Sequence, residues 1–510
     1  MNKWLVAITV MLPTIIQFVD TSVVNVSLDH IRGSLGAGID ESTWAITSYL
    51  AANGIIIPMT GWLSRLWGRK RYLLLSISLF TISSFLCGIA WNIQSLVIFR
   101  VIQGVGGGGL QPVSQAILLE TFPPQQHGTA MAIFGMGTMF GPIIGPVLGG
   151  WITDNWSWHW IFFINIPIGI ISILMVLSFI VDPPYMERIR MKIDYWGIAF
   201  LSVGVGCLQI VLDKGQREDW LSSTFIIWLG FISFFSLGLF ILTELYSQTP
   251  IVNLRIFGNR SFTMGNLITF FTFFALFACI VLLPIYLQTL MGYTAFLAGL
   301  VLCPGGIAAM VALPIAGRLV NKINPKALLA FGIVVSSYSV HLMAQFNMQA
   351  SLQAVIWPRI VMGLGMGFLF IPLQILSLSR IAKEKMANAT GIFNLLRNLG
   401  GSFGVAFVTT LLARRAQFHQ NHLVQHLTIY DRNLQFAFPQ ISQLLQGRGF
   451  ANSLPNQGGL GLIYNELLRQ TSMLSFNDAF YLLSVMLVVI LPLILLMQRG
   501  KESTSSVSID

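Results

Sequence analysis

The sequence predicts an all-α polytopic membrane protein, on three observations. Apolar residues make up 55% of the 510 and charged residues only 9%, against roughly 25% charge in a soluble domain, and the mean hydropathy is +0.74. Fourteen apolar runs are long enough to cross a bilayer. Many of the 47 Gly and 20 Pro lie inside these runs, as membrane helices permit. So few charges cannot cover a water-facing surface, which excludes a soluble enzyme, a disordered chain and a fibrous protein.

A bilayer core of about 30 Å takes about 20 helical residues. Runs of that length fall at 4–26, 44–64, 72–91, 95–119, 129–151, 160–181, 196–212, 224–245, 262–287, 296–317, 327–346, 354–378, 389–412 and 476–497, the run at 196–212 being the weakest. Alternation puts the short loops 65–71, 120–128, 182–195, 246–261, 318–326 and 379–388 on one side with both termini. Those segments hold 18 Lys and Arg, and the short loops opposite hold three, Arg32, Lys214 and Arg217. By the positive-inside rule both termini are cytoplasmic. The net charge of +10 therefore serves orientation, not nucleic-acid binding. Cys87, Cys207, Cys279 and Cys303 fall in apolar spans without metal spacing and read as small core residues. The first run, about 23 residues long, lacks a small-residue cleavage site, so no cleavable signal is expected.

An internal repeat organises the spans. Arg100-x-x-x-Gly104-x-Gly106-x-Gly108 recurs as Arg359-x-x-x-Gly363-x-Gly365-x-Gly367, at an offset of 259. Ile133-Phe134 with Gly141 matches Ile392-Phe393 with Gly400, and Pro58-x-x-Gly61-x-Leu63 matches Pro314-x-x-Gly317-x-Leu319. Spans 1–6 thus correspond to spans 9–14, and spans 7 and 8 are an inserted pair. Halves related by an axis along the membrane normal describe the major facilitator architecture, with a substrate site at the midplane and alternating access by rocking. The expected divisions are a six-helix bundle over 1–181, a linker with the inserted pair over 182–261, a second bundle over 262–497 with an outer loop at 413–475, and a cytoplasmic tail at 498–510.

Charge inside a membrane is costly and marks function. Asp20 is the one acid well inside a span; Glu120, Glu244 and Asp478 lie at span ends. Asp20 sits about 9 Å and Arg100 about 7.5 Å from the outer ends of their spans, at about 1.5 Å per residue, so the two can share one polar pocket. Burial favours a neutral carboxyl group and a nearby guanidinium favours the carboxylate. A movement that changes solvent access there can load or release a proton; the alternative is a static ion pair. Arg359 repeats the Arg100 position and Arg397 lies in span 13, with no acid at matching depth; they could hold a substrate anion or bond backbone carbonyls.

Span 5 carries Gly141, Pro142, Gly145, Pro146, Gly149 and Gly150. Proline kinks a helix and glycine lets a neighbour approach, so this span reads as a packing seam, and as a pliable helix between the halves. The segment from Gly61 through Gly68, Arg69, Lys70 and Arg71 reads as a basic turn, or as a cytoplasmic latch meeting the carbonyls of helix ends. Gln17, Tyr49, Asn53, Gln103, Gln115, Tyr286, Gln374, Asn394 and Arg397 are candidate cavity residues, though each alone can equally join two helices. His419, His422 and His426 have helical spacing in the outer loop and read as a polar helix face sooner than a zinc site.

These motifs resemble those of drug:proton antiporters of the major facilitator superfamily, of the fourteen-helix EmrB/QacA type and nearest its EmrB members. The carriers are Phe18 to Val26, Gly61 to Arg71, Arg100 to Gly104, Gly141 to Gly150 and Trp160-Ile161-Phe162-Phe163-Ile164-Asn165-Ile166-Pro167-Ile168-Gly169. The family pattern has Asp where Arg65 stands, and Pro near Asp29. The resemblance implies proton transfer at the fourth-helix motif, a proton gradient as energy source with no cofactor, and a bacterial inner-membrane pump. It also implies a periplasmic adaptor (EmrA-like) and an outer-membrane channel (TolC-like). Segment 413–475 suits such a partner: Leu434, Phe438, Ile441, Leu444 and Leu445 have helical spacing for docking, or the segment lies on the membrane. One buried acid against three buried arginines argues against multivalent cations. The expected activity is efflux of hydrophobic, neutral or weakly acidic amphiphiles, with a lipid or metabolite exporter or symporter of the same fold as the alternative. An enzyme would need clustered acids, His or a metal site, and no catalytic residue is assigned.

Overall fold

Helix starts are written into the sequence as caps. The side chains of Asn2, Asn92, Asp194, Asn259, Thr294, Asn324 and Ser351 each accept a backbone N–H of the turn they begin, satisfying donors a helix leaves free. The computed structural model describes residues 2–182, 194–247, 250–427, 434–436, 438–440 and 455–497. Its helices are α1 (Lys3–Leu35), α2 (Ile39–Trp67), α3 (Arg69–Gly88), α4 (Ile93–Gly108), α5 (Leu110–Thr121), α6 (His127–Asn155), α7 (Trp160–Phe163) and α8 (Asn165–Phe179). There follow α9 (Tyr195–Lys214), α10 (Thr224–Tyr246), α11 (Arg260–Thr289), α12 (Ala295–Leu319), α13 (Pro325–Met343), α14 (Leu352–Leu378), α15 (Met386–Val424), α16 (Pro455–Val489) and α17 (Leu493–Leu496). Among the described residues, thirteen helical stretches are long and apolar enough to cross a membrane. The 29-residue α2, the predicted second span, is long enough but falls outside that set, its hydropathy diluted by buried Thr47, Ser48, Asn53, Thr60 and Ser64.

Lys3 Nζ donates to Gln126 Oε1 (2.6 Å) and Asn321 Nδ2 to the carbonyl of Gln125 (2.7 Å), while Lys326 Nζ donates to the carbonyl of Met497. The start of α1, the start of α6, the end of α12 and the end of α17 therefore share one face, here called the N-terminal face.

Packing repeats with the sequence. In the first six spans α2 lies on α4, α3 on α4 and α8, and α1 on α6; in the last six α12 lies on α14, α13 on α14 and α16, and α11 on α15. The sets meet along α6–α12 and α2–α15. Gln115 Nε2 donates to Gln374 Oε1 (3.1 Å); these residues are 259 apart, so each meets its own repeat equivalent on the pseudo-twofold axis. On the N-terminal face a Cβ built on Gly61 would lie 2.6 Å from the Cα of Asn388, and one on Gly317 2.6 Å from the carbonyl oxygen of Gly128. Gly61 and Gly317 correspond in the repeat, so one contact closes each seam. Gly61→Val and Gly317→Val are expected to part the seams alike. A cysteine replacing Thr390, whose hydroxyl donates across to the carbonyl of Pro112 (3.1 Å), should then react several-fold faster with an impermeant maleimide from that face; an unchanged rate would mean these glycines do not hold the closure.

The inserted helix α9 contacts both α2 and α15. Thr47 donates to Asp213, Lys214 Nζ stands 4.3 Å from the Trp44 ring centroid, and Gln209 Nε2 donates to Ser402 Oγ (3.1 Å). Past its end, Trp220 Nε1 donates to Thr410 Oγ1 (2.9 Å). The insertion is a strap across the α2–α15 seam toward the opposite face.

Three boundaries are corrected. The basic turn is a single residue: α2 runs through Gly61 and Arg65 to Trp67, Gly68 breaks it at φ 83°, and α3 starts at Arg69. The predicted outer loop 413–475 is shorter, because α15 continues to Val424 and α16 begins at Pro455. Hydropathy marks where lipid ends, whereas polar residues such as Arg414, Arg415, Gln417 and His419 continue a helix. Within the proposed docking helix, Leu434 and Phe438 fall in short helical pieces; Ile441, Leu444 and Leu445 lie outside the described residues, as do 183–193 and the tail 498–510. His419 Nε2 lies 2.8 Å from Asp478 Oδ2, and Arg415 Nε 3.5 Å from the same oxygen, clasping α15 to α16. Among the described residues no three His, Cys, Asp or Glu gather as a metal site.

Candidate functional site

Asp20 and Arg100 meet, as their depths predict. Arg100 Nη1 donates to Asp20 Oδ2 at 2.6 Å, and both side chains are sealed, at 1% and 0% exposure. Asp20 Oδ1 accepts from Gln103 Nε2 (3.0 Å) and Asn165 Nδ2 (2.8 Å). Arg100 also donates to Gln103 Oε1 (2.7 Å) and, through Nε, to the carbonyl of Ala45 (3.0 Å). Its guanidinium lies 4.2 Å from the Tyr49 ring centroid, a cation–π distance. Asn165 is tied further to Ser84 Oγ (2.9 Å), which donates to the carbonyl of Phe162. Three N–H donors from α4 and α8 thus converge on one carboxylate of α1. The Tyr49 hydroxyl is buried beside the side chains of Gln17 and Thr21.

Gln103 and Tyr49, two of the candidate cavity residues, belong to this cage. Ser84 and the carbonyl of Ala45 carry no sequence signal of this role; Asn165 stands within the Trp160–Gly169 motif, a lone amide in an apolar run with no role assigned to it.

The glycines of α6 seat the helix that bears Asp20. A Cβ on Gly141 would stand 2.5 Å from the backbone carbonyl carbon of Phe18, one on Gly145 2.4 Å from Ser22 Cβ, and one on Gly149 3.1 Å from Val23; on Gly150 it would meet nothing within 4 Å. The other side of α6 faces α12, where Ile143 lies under Gly306 and Pro146 near Gly299. Gly141, Gly145 and Gly149 therefore fix α1, while Pro142 and Pro146 each withhold a backbone donor from the helix beside the seam between the sets.

The remaining polar candidates divide. Asn394 Nδ2 donates to Gln115 Oε1 (2.7 Å), Gln115 to Gln374, and Arg397 Nη2 to Gln111 Oε1, a ladder across the seam. Gln17 and Asn53 are buried, Gln17 beside the Tyr49 hydroxyl. Tyr286 does not join them: its hydroxyl donates to the carbonyl of Asn347 (2.8 Å) and its ring packs on Phe346 and Phe476, in the outer layer of α11, α13 and α16. Arg359 Nη1 reaches Met362 Sδ (3.3 Å), and among the described residues no acid pairs with it, so the repeat copies the arginine without the ion pair.

The basic residues of the segment tie helices of their own set, while Gly61 at its start reaches across the seam to Asn388. Arg69 forms a two-pronged pair with Glu120 (2.5 and 2.9 Å) at the end of α5. Lys70 binds the carbonyl of Leu177 near the end of α8 and, through its backbone N–H, Asp182 (both 2.7 Å). The expected meeting with a helix-end carbonyl occurs, but these partners lie in the same helix set, and Arg71 is exposed.

A pseudo-symmetric helical bundle around a sealed membrane ion pair defines the class as a membrane transporter. Residues 10–405 match the Major Facilitator Superfamily, and the chain belongs to that family of transporters, not to an enzyme family. It is 36% identical to fatty acid resistance protein FarB of Neisseria gonorrhoeae over 96% of this chain and 95% of that one. It is 38% identical to multidrug export protein EmrB of Haemophilus influenzae over 86% of each chain, and 36% identical to EmrB of Escherichia coli K12 over 96% and 94%. The fold matches that of the human organic anion transporter MFSD10, with a TM-score of 0.60 at 13% identity over 96% of this chain and all of that one.

Proposed function

We propose that this protein exports hydrophobic, neutral or weakly acidic amphiphiles across the bacterial inner membrane in exchange for protons, as the membrane part of a pump completed by a periplasmic adaptor and an outer-membrane channel. The N-terminal face is cytoplasmic, which the 18-to-3 distribution of Lys and Arg supports. The bundles 1–181 and 262–497 rock about the axis marked by Gln115 and Gln374. The observation that carries the proposal is the sealed carboxylate of Asp20, bonded to Arg100 at 2.6 Å.

The cage also suggests how a proton is taken up. A protonated Asp20 carries an O–H that needs an acceptor, and all three groups on the carboxylate are donors. Asn165 Oδ1 is buried and no hydrogen bond is described for it. Turning the Asn165 amide exchanges its donor for that oxygen, and a neutral Asp20 then releases its hold on Arg100. Because α1 is packed on α6, and α6 on α12, a shift of α1 is felt at the seam. The driving force suffices: roughly 2.3 kcal/mol per charge per 100 mV and about 1.4 kcal/mol per pH unit.

Everted membrane vesicles test the proposal. Adding a neutral dye should release protons from a preformed gradient, with dye uptake collapsing when the gradient is discharged. Uptake that ignores the gradient would exclude exchange. The similarity to FarB supports a second reading, export of a lipid-like compound; it predicts uptake of fatty acids with little uptake of dyes.

A further inference from the structure

Among the described residues, Arg100 in its span has a carboxylate partner, whereas Arg359 and Arg397 in theirs have none. Arg397 is 4% exposed, and among the described residues no acid pairs with it. Its one described hydrogen bond runs from Nη2 to the neutral amide of Gln111, and the other N–H groups have no described acceptor. Its guanidinium carbon lies 5.9 Å from the Phe18 ring centroid and 5.7 Å from that of Phe273. Those rings come from α1 and α11, one from each helix set. The residue stands one helical turn from Asn394 and its cross-seam bond to Gln115, so it lies where the sets meet.

An isolated charge in hydrocarbon is unfavourable, and Arg100 shows how this chain neutralises one when its role is internal. A guanidinium offers a planar fork of donors that matches a carboxylate with two parallel bonds. Aromatic rings beside it provide an apolar wall for a chain attached to that carboxylate.

We infer that Arg397, with Gln111 beside it and Phe18 and Phe273 as walls, is an anchor for the carboxylate of a monoanionic amphiphile with an apolar tail. This rests on the export reading and narrows its substrate class. The site selects a single negative charge, since one cation serves it; alkylammonium compounds are disfavoured there.

The test uses the full-length protein in lipid nanodiscs and three probes of equal chain length below their micelle concentrations: dodecanoate, dodecanol and dodecyltrimethylammonium. Binding is read by intrinsic tryptophan fluorescence, with thermal unfolding of each variant as the check on folding. The native protein should bind dodecanoate at least tenfold more tightly than dodecanol, and the ammonium compound more weakly than either. Arg397→Met should bring the dodecanoate-to-dodecanol ratio to within twofold of unity, whereas Arg359→Met keeps the tenfold preference. Should Arg397→Met not fold, Arg397→Lys decides: a point charge without the fork should lower the ratio threefold or more. A native protein without the preference, an Arg397 variant that retains it, or its loss in Arg359→Met alone would overturn the assignment. Failure of the export reading is separately visible, as absence of gradient-driven dye uptake by native vesicles.

Discussion

Asp20→Asn is expected to reduce gradient-driven uptake into everted vesicles at least a hundredfold while the protein still inserts. Two effects act together. An amide at this position turns one acceptor oxygen into a donor, facing Arg100 Nη1 or the pair formed by Gln103 and Asn165, so donors oppose donors. It also removes the charge that balances Arg100, and breaking a buried pair from one side costs about 3–5 kcal/mol. No ionisable group then remains on α1 at this depth, so any residual uptake should be flat between pH 5.5 and 8.5. Uptake that survives with its pH dependence intact would remove Asp20 from the coupling step. Asn165→Leu separates structure from coupling. It leaves the Arg100 bond to Asp20 available and takes away the proposed acceptor for the proton, so the pH dependence of uptake should move even where the maximal rate is partly kept.

How far the sequence reveals this arrangement depends on the physical signal behind each feature. The spans are legible because lipid imposes a length, and the ion pair because two charges at one depth are too costly to leave apart. The repeat is legible as an offset, yet an offset says nothing of where the axis runs. Gln115 and Gln374 stood among nine polar candidates, and only packing brings one onto the other. Helix faces were the recurrent blind spot. Tyr286 and Gln103 are polar residues in spans like the rest, but one turns to the outer layer and the other into the Asp20 cage. Helix ends were misjudged at 413–475 for a different reason: outside lipid nothing in the residues after 412 forbids another turn, so polarity was mistaken for a stop. Asn165 is legible as part of a motif but not in its role, because an amide carries no charge to mark it.

The glycine motif of α6 gives the second large effect, through geometry inside one helix. At Gly141 a methyl group would press on the backbone of α1 at Phe18, 2.5 Å away, and backbone cannot turn aside as a side chain can. At Gly150, nine residues along the same motif, a methyl group has open space. Overpacking of a close contact costs about 1–3 kcal/mol, and here the strain falls on the helix that holds Asp20 two residues from the collision. Gly141→Ala should therefore lower the thermal unfolding midpoint by several degrees and cut uptake at least tenfold, while Gly150→Ala changes each by less than twofold or a degree. Gly145→Ala should fall between them, since its obstacle is the small side chain of Ser22. The order of the three effects is the point of the experiment. If Gly150→Ala proves as damaging as Gly141→Ala, the motif acts by something other than seating α1, and the link drawn from α6 through α1 to the proton site is broken.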